Sequence, residues 1–238
     1  MSTTLELGGV TLAVRKKDIK NVHLSVYPPA GRVSISAPLR MSLDTIRLFA
    51  IAKLGWIRQQ QKKLIQQERE ARREYLNRES HYVWGRRCLL KVVEEVAAPR
   101  VRIHHGSLVL CVRPGTDARA RGEVISGWYR DLLRAEASLL LREWESRLGV
   151  KVKAVFIQHM KTKWGSCNPS ARTVRLNTEL AKKPKECLEY IVLHEMAHLI
   201  ERKHGPRFVA LMDRHMPNWR QTRDLLNRLP ARHELWSY

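Results

Sequence analysis

The sequence predicts an α+β protein: N-terminal β-hairpin or sheet units with long helices, then a C-terminal lobe built on one apolar helix. Three observations carry this. Residues 3–37 show the alternation of strands with turn residues between, and 82–113 return to strands around a turn at His105-Gly106. Each stretch is followed by a run with helical spacing, over 43–77 and 117–148. Further on, Leu188, Val192, Met196 and Leu199 recur at helical intervals around His194-Glu195-Met196-Ala197-His198. The chain accordingly divides into strands plus a long helix (1–80), a second strand-plus-helix unit (81–150) and a third region (151–238).

The first strands are TLELGGVTLAVRK, NVHLSVYP and GRVSISAP, with Pro28-Pro29-Ala30-Gly31 suited to a hairpin loop. Ser42 can cap a helix starting at Leu43, with Asp44 in its first turn, running to about Asn77. Its first half is apolar; its second half is polar nearly all round, the mark of a solvent-exposed or linking helix, or of a partner contact. Strands return over 82–113, with a turn at His105-Gly106 that places His104 and His105 at an exposed tip rather than among ligands. The next helix, Asp117 to Leu148, ends before Gly149. Shifting the chain by 76 residues lays Gly9 on Gly85 and Pro38 on Pro114, so the two blocks read as copies of one plan.

Residues four apart on a helix share a face, with Cβ atoms about 5–6 Å apart. The imidazoles of His194 and His198 can therefore close on one Zn²⁺ at about 2.0–2.1 Å per bond. Glu195, next to the first histidine, suits the removal of a proton from water on that metal. A catalytic zinc takes three protein ligands and keeps one open position. His204 is the expected third, yet ten residues of unbroken helix span about 15 Å. The chain must turn after Leu199, and Gly205-Pro206 supplies the break. Glu201, on the same face if the helix persists, is the competing ligand. A short His-Glu-x-x-His string also arises by chance. The apolar helix, the spaced third histidine and the Gly-Pro break set this one apart.

The 44 Lys and Arg exceed 23 Asp and Glu, giving a formal charge of +21. Residues 151–185 hold nine basic side chains and a single acid, Glu179. This is either a solvated surface or a basic approach that draws in anionic substrates, nucleotides or nucleic acid. Four cysteines, Cys88, Cys111, Cys167 and Cys187, lack CxxC spacing and are expected to be reduced thiols. No run approaches the roughly 20 apolar residues of a membrane span, and MSTTLELGGV lacks a leader's basic-then-apolar form. The expected compartment is the cytoplasm, with no membrane partner.

The last block opens with a strand, KVKAVFIQ, then the turn-rich string Trp164-Gly165-Ser166-Cys167-Asn168-Pro169 and a short strand over Thr173–Asn177. Cys167 reads as a packed loop residue rather than a nucleophile or fourth ligand. Pro206–His215 and Asn218–Leu229 read as short helices joined at Met216-Pro217. Together HMKTKWGSC, TVRLNTEL, LEYIVLHEMAHLIERKHGPRF and MPNWRQTRDLLNRL resemble the YgjP-like family of predicted zinc metallopeptidases, itself similar to SprT-like and other zincin proteins. The resemblance is specific over Lys151–Leu229 and looser before it. It implies a zincin-like catalytic region with His194, His198 and His204 as zinc ligands and Glu195 as the catalytic carboxylate. It also places Trp164, Gly165, Ser166, Cys167 and Asn177 near the site. Lys163 stands where the family often has Arg, keeping the charge. Proteins of this class commonly lay a strand across the cleft for an extended peptide to pair with. Lys161, Lys163 and Ser166 are candidate donors to a developing oxyanion. A zinc-dependent peptidase is thus expected. The alternatives are a zinc-dependent hydrolase of nucleotide phosphoanhydrides and a nucleic-acid-binding protein with structural zinc.

Overall fold

The structure is a computed structural model and describes residues 2–27, 30–66, 73–160 and 163–229. These residues form two compact units, one up to residue 66 and one from Arg73 to Leu229. In the first, strands β1 (Ser2–Leu7), β2 (Val10–Lys17), β3 (His23–Tyr27) and β4 (Arg32–Pro38) make a sheet in the order β1-β2-β4-β3. Only the central β2/β4 pair is parallel. Alternation decides the buried face: Leu12, Val14, Val33, Ile35 and Ala37 point inward and pack with Ile46, Ala50 and Ile57. Gly31 closes β3 onto β4 with a positive φ, while Pro28 and Pro29 lie outside the described residues.

The long first helix is two helices, α1 (Leu43–Ala52) and α2 (Leu54–Gln66). Ser42 caps α1 as expected, its Oγ accepting from Thr45 N. Lys53 closes α1 by donating its N–H to Ala50 and Ile51 carbonyls, and Gly55, a poor helix former, stands in the first turn of α2. The helix also does not extend to Asn77. Tyr75 and Arg78 hold positive φ, and the Glu79 carboxylate accepts from the backbone N–H groups of Glu74 and Tyr75. Tertiary packing overrides helix propensity here, because the Tyr75 ring fills the space that a Cβ on Gly122 would need.

The second unit opens with β5 (Ser80–Val83), β6 (Arg86–Glu94), β7 (Arg100–His104) and β8 (Ser107–Val112), ordered β5-β6-β8-β7 with β6 and β8 parallel. This repeats the plan of the first sheet, down to two-residue turns at Gly8-Gly9 and Trp84-Gly85 with positive φ at both positions. His105-Gly106 makes a third such turn, with His104 and His105 exposed at its tip. Helix α3 (Ala118–Leu148) is capped by the Asp117 side chain and stopped by left-handed Gly149, as its sequence predicts.

A three-stranded sheet follows, β10-β11-β9, from β9 (Ala154–Gln158), β10 (Gly165–Asn168) and β11 (Thr173–Asn177). A 3₁₀ turn (Thr178–Lys182) leads into α4 (Lys185–Ala197), then α5 (Pro206–His215) and α6 (Trp219–Arg228). The segments 81–150 and 151–229 share one core, in which Leu90, Leu108 and Leu110 join Leu133 and Trp144 of α3 and Leu188, Val192 and Met196 of α4. The Trp84-Gly85 turn donates to the carbonyls of Ala181 and Lys182, seating the first sheet of this unit on the segment that launches α4. No described helix is long and apolar enough to cross a membrane.

A buried polar group in this core makes stability pH-dependent. His81 is 1 % exposed, with Nε2 3.0 Å from Glu79 Oε1. Burial, then the Arg73 charge, hold its pKa well below the ordinary 6.5, with Glu79 opposing. The unfolded chain then binds a proton that the folded chain refuses, so stability falls as pH drops below about 6.5. The expected loss is on the order of 1 kcal/mol or more. Urea midpoints measured from pH 7 to pH 4 check this: His81→Asn flattens the slope.

Candidate metal centre

Helix α4 is apolar on nearly every side, with Leu188, Val192, Leu193, Met196 and Ala197 all at 0 % exposure, and this packing fixes the backbone of His194 and Glu195. The helix ends at Ala197 and His198 is its C-cap. Leu199 N donates to Met196 O, and Ile200 N and Glu201 N donate to Ala197 O, turning the chain away from the axis. Gly205 and Pro206 then start α5, with Pro206 in its first turn. The reversal returns His204 to the helix: its Nε2 lies 3.0 Å from His194 Nε2. One ring nitrogen from each of His194, His198 and His204 lies within 4.8 Å of the others.

The donor set fits a tetrahedral cation. Zinc at about 2.0–2.1 Å from each nitrogen requires nitrogens about 3.3 Å apart, within reach of this spacing. His198 Nδ1 sits 3.1 Å from the Glu201 carbonyl, and as its donor it leaves Nε2 with a free lone pair. Burial, then the neighbouring His198 and His204, push the His194 pKa down to about 4; burial also lowers His198. Both therefore stand as neutral imidazole, the form that ligates metal. Glu201, the competing ligand, turns elsewhere, with Oε1 accepting from Lys203 N.

Phe208, not singled out by sequence reasoning, is the floor of the cluster. It is 2 % exposed and its ring centroid lies 5.0, 4.8 and 4.8 Å from those of His194, His198 and His204. Its place two residues after the Gly205-Pro206 break was the available signal.

Above the histidines opens a cavity of about 470 Å³ lined by Lys163, Gly165, Ser166, Cys167, Pro169, Ser170, His194, Glu195, His198, Arg202 and His204. Glu195 is the only acid among these. It is 6 % exposed, and burial lifts its pKa to about 7 against the opposing charge of Lys163. Arg202 is a second cation at the cavity that the sequence did not single out. Burial, then Glu195, raise the Cys167 thiol to about 11, so it stays protonated.

The Trp164–Pro169 string is not a turn-rich loop as its composition suggested. Gly165–Asn168 is strand β10, paired antiparallel with β11 in the register Gly165↔Leu176. Gly165 meets a need of close packing, while Asn168 still serves the turn that follows, its Oδ1 accepting from Ala171 N at 3.0 Å. The strand beside the cavity is therefore β10, an edge strand. Thr173–Asn177 is paired on both sides. Trp164 does not line the cavity but packs against the core. Asn177 is also set back, 5 % exposed. Its Nδ2 donates to the carbonyls of Met160 and Lys163, both at 2.8 Å, and its Oδ1 accepts from Glu179 N at 3.2 Å. It thus ties down the residue bearing the Lys163 side chain. Asn177→Ala leaves buried groups without partners, with an expected loss of about 2–3 kcal/mol in denaturant unfolding. Lys161 lies outside the described residues.

Three imidazoles, a buried carboxylate and an open cavity are the parts of a metal-dependent hydrolase. The chain belongs to the YgjP-like metallopeptidase family: residues 20–229 match the model described as "YgjP-like, metallopeptidase domain". No match is found among curated proteins. Among solved structures, the chain is similar to the metallopeptidase zymogen of Pyrococcus abyssi abylysin, at 22% identity and a TM-score of 0.36, over 38% of this chain and 90% of that one. It is also similar to the metallopeptidase zymogen of Methanocaldococcus jannaschii jannalysin, at 21% identity and a TM-score of 0.31, over 41% of this chain and 92% of that one.

Proposed function

We propose that the chain is a zinc-dependent peptidase of the cytoplasm, in which His194, His198 and His204 hold the metal and Glu195 is the general base. The observation that carries this is the return of His204 to 3.0 Å from His194, beside a buried glutamate that faces the same cavity. Zinc held there supplies Lewis acidity, lowering the pKa of water towards 7 and polarising a scissile carbonyl. Glu195, lifted to about 7 by burial, accepts a proton near neutral pH and delivers it to the leaving amine. Strand β10 pairs only with β11 among the described residues, which makes it the edge strand against which an extended peptide would pair. Lys163 and Ser166 line the cavity and are the candidate donors to a developing oxyanion.

A second reading rests on the same cavity. Lys163 and Arg202 line it with Glu195 as the single acid, a charge pattern that suits a nucleoside triphosphate or an anionic peptide. A purely structural ion is harder to reconcile with a carboxylate facing an open cavity, which weighs against the nucleic-acid-binding reading.

Zinc-loaded protein incubated in parallel with casein and with nucleoside triphosphates separates these. Peptide cleavage abolished by a chelator supports the peptidase. Phosphate or diphosphate release without peptide cleavage, and dependent on Glu195, gives the site to phosphoanhydrides. Salt-sensitive nucleic-acid binding with no hydrolysis of either substrate supports the third reading.

A further inference from the structure

The carboxylate of Glu195 is held by more than its own helix. Strand β10 runs directly over it, and Gly165 is the point of contact. A Cβ added at Gly165 would stand 2.7 Å from Glu195 Oε1, 2.8 Å from Glu195 Cγ and 2.9 Å from Ile191 Cγ2. Non-bonded carbons sit best at about 3.5–4.0 Å, so any side chain at 165 must displace something. The requirement for glycine is one of space, since Gly165 is not among the glycines with positive φ.

What gives way follows from the packing. The strand cannot retreat, because Gly165 pairs with Leu176, itself 0 % exposed, and the adjoining Trp164 carbonyl accepts from Asn177 N at 2.9 Å. Nor can α4, whose buried faces include Ile191 at 6 % exposure. The free end of the Glu195 side chain is the movable party.

We infer that Gly165 is a positioning residue: its bare α-carbon sets where the Glu195 carboxylate stands relative to the three histidines. The catalytic consequence rests on the proposed role of Glu195 as base; the steric coupling does not.

Four proteins test it: wild type, Gly165→Ala, Glu195→Ala and the double variant, each measured for denaturation midpoint and zinc content. Gly165→Ala is expected to lower the midpoint, and the drop is expected to shrink by about half once Glu195 is truncated, the remainder belonging to Ile191. If Gly165→Ala does not fold while the double variant does, the coupling is shown in its extreme form. Zinc content is expected at one per chain in every folded variant, since the nearest atoms to a Cβ at Gly165 belong to Glu195 and Ile191 rather than to an imidazole. On whichever substrate the wild type turns over, Gly165→Ala is expected to lower kcat tenfold or more with KM little changed. Adding Glu195→Asp, one methylene shorter, is expected to recover part of that loss. Equal midpoint drops in the two backgrounds, or unchanged kcat in Gly165→Ala, would overturn the inference. A wild type without hydrolytic activity would sink the proposed function and leave the midpoint coupling standing.

Discussion

Replacing Glu195 with glutamine is expected to leave one zinc per chain and to lower turnover by about 10²–10⁴-fold, the usual worth of a positioned general base. The amide has nearly the shape of the carboxylate, so its seat beneath Gly165 stays filled. It cannot accept a proton, however. Metal retention follows from geometry: the cluster that could hold an ion consists of three ring nitrogens, with no Glu195 oxygen among them. Stability is not expected to fall, because the substitution removes a carboxylate that burial already disfavours in its charged form. The pH profile gives a further check. The limb owed to Glu195, which rises as its proton leaves, is expected to disappear from the residual activity. Metal analysis beside steady-state rates decides the matter: a variant that keeps both its zinc and its turnover leaves Glu195 without the role assigned to it.

How much of this was legible beforehand depends on how local the cause is. The string His194 to His198, the break at Gly205-Pro206 and the need for a turn after Leu199 all follow from helical spacing and rise, and His204 returns as that geometry requires. The strands over 3–37 declare themselves by alternation, whereas β8 is buried on both faces from Leu108 to Val112. The two four-stranded sheets share one strand order, β1-β2-β4-β3 and β5-β6-β8-β7. The misreadings arise where a distant residue decides. The expected helix from Leu43 to Asn77 fails at Tyr75, which holds a positive φ while its ring packs against Gly122, 47 positions away, and no local pattern announces that. Strand β10 hid behind Gly, Ser, Asn and Pro because those residues normally mark turns, whereas Gly165 answers to a carboxylate 30 residues on. Phe208 and Arg202 carried no periodic signal, and only the chain reversal brings them to the histidines. Asn177 was associated with the site, but its work is to hold the carbonyls of Met160 and Lys163 from behind.

Truncating the third histidine is the severest expected perturbation of metal binding. His204→Ala is expected to weaken zinc affinity by more than about 100-fold, since even partners one bond further out are worth about 10–100-fold. Two imidazoles from α4 alone leave the ion with too few protein ligands for a tetrahedral catalytic site. The loop could offer Glu201 instead, seven residues from His194. In the structure that side chain accepts from Lys203 N, while only its backbone carbonyl serves the site, at 3.1 Å from His198 Nδ1. Glu201→Ala is therefore expected to keep wild-type affinity, because the carbonyl survives the substitution. His105→Ala, at the exposed hairpin tip, controls for the loss of any imidazole. The fold is expected to survive His204→Ala, since His204 is exposed and the helices on either side of its loop are anchored by Met196, Phe208 and Met212. Competition with a chromophoric chelator ranks the four proteins. Wild-type affinity in His204→Ala, or its loss in Glu201→Ala, would move the third ligand off His204 and with it the geometry on which the hydrolase reading stands.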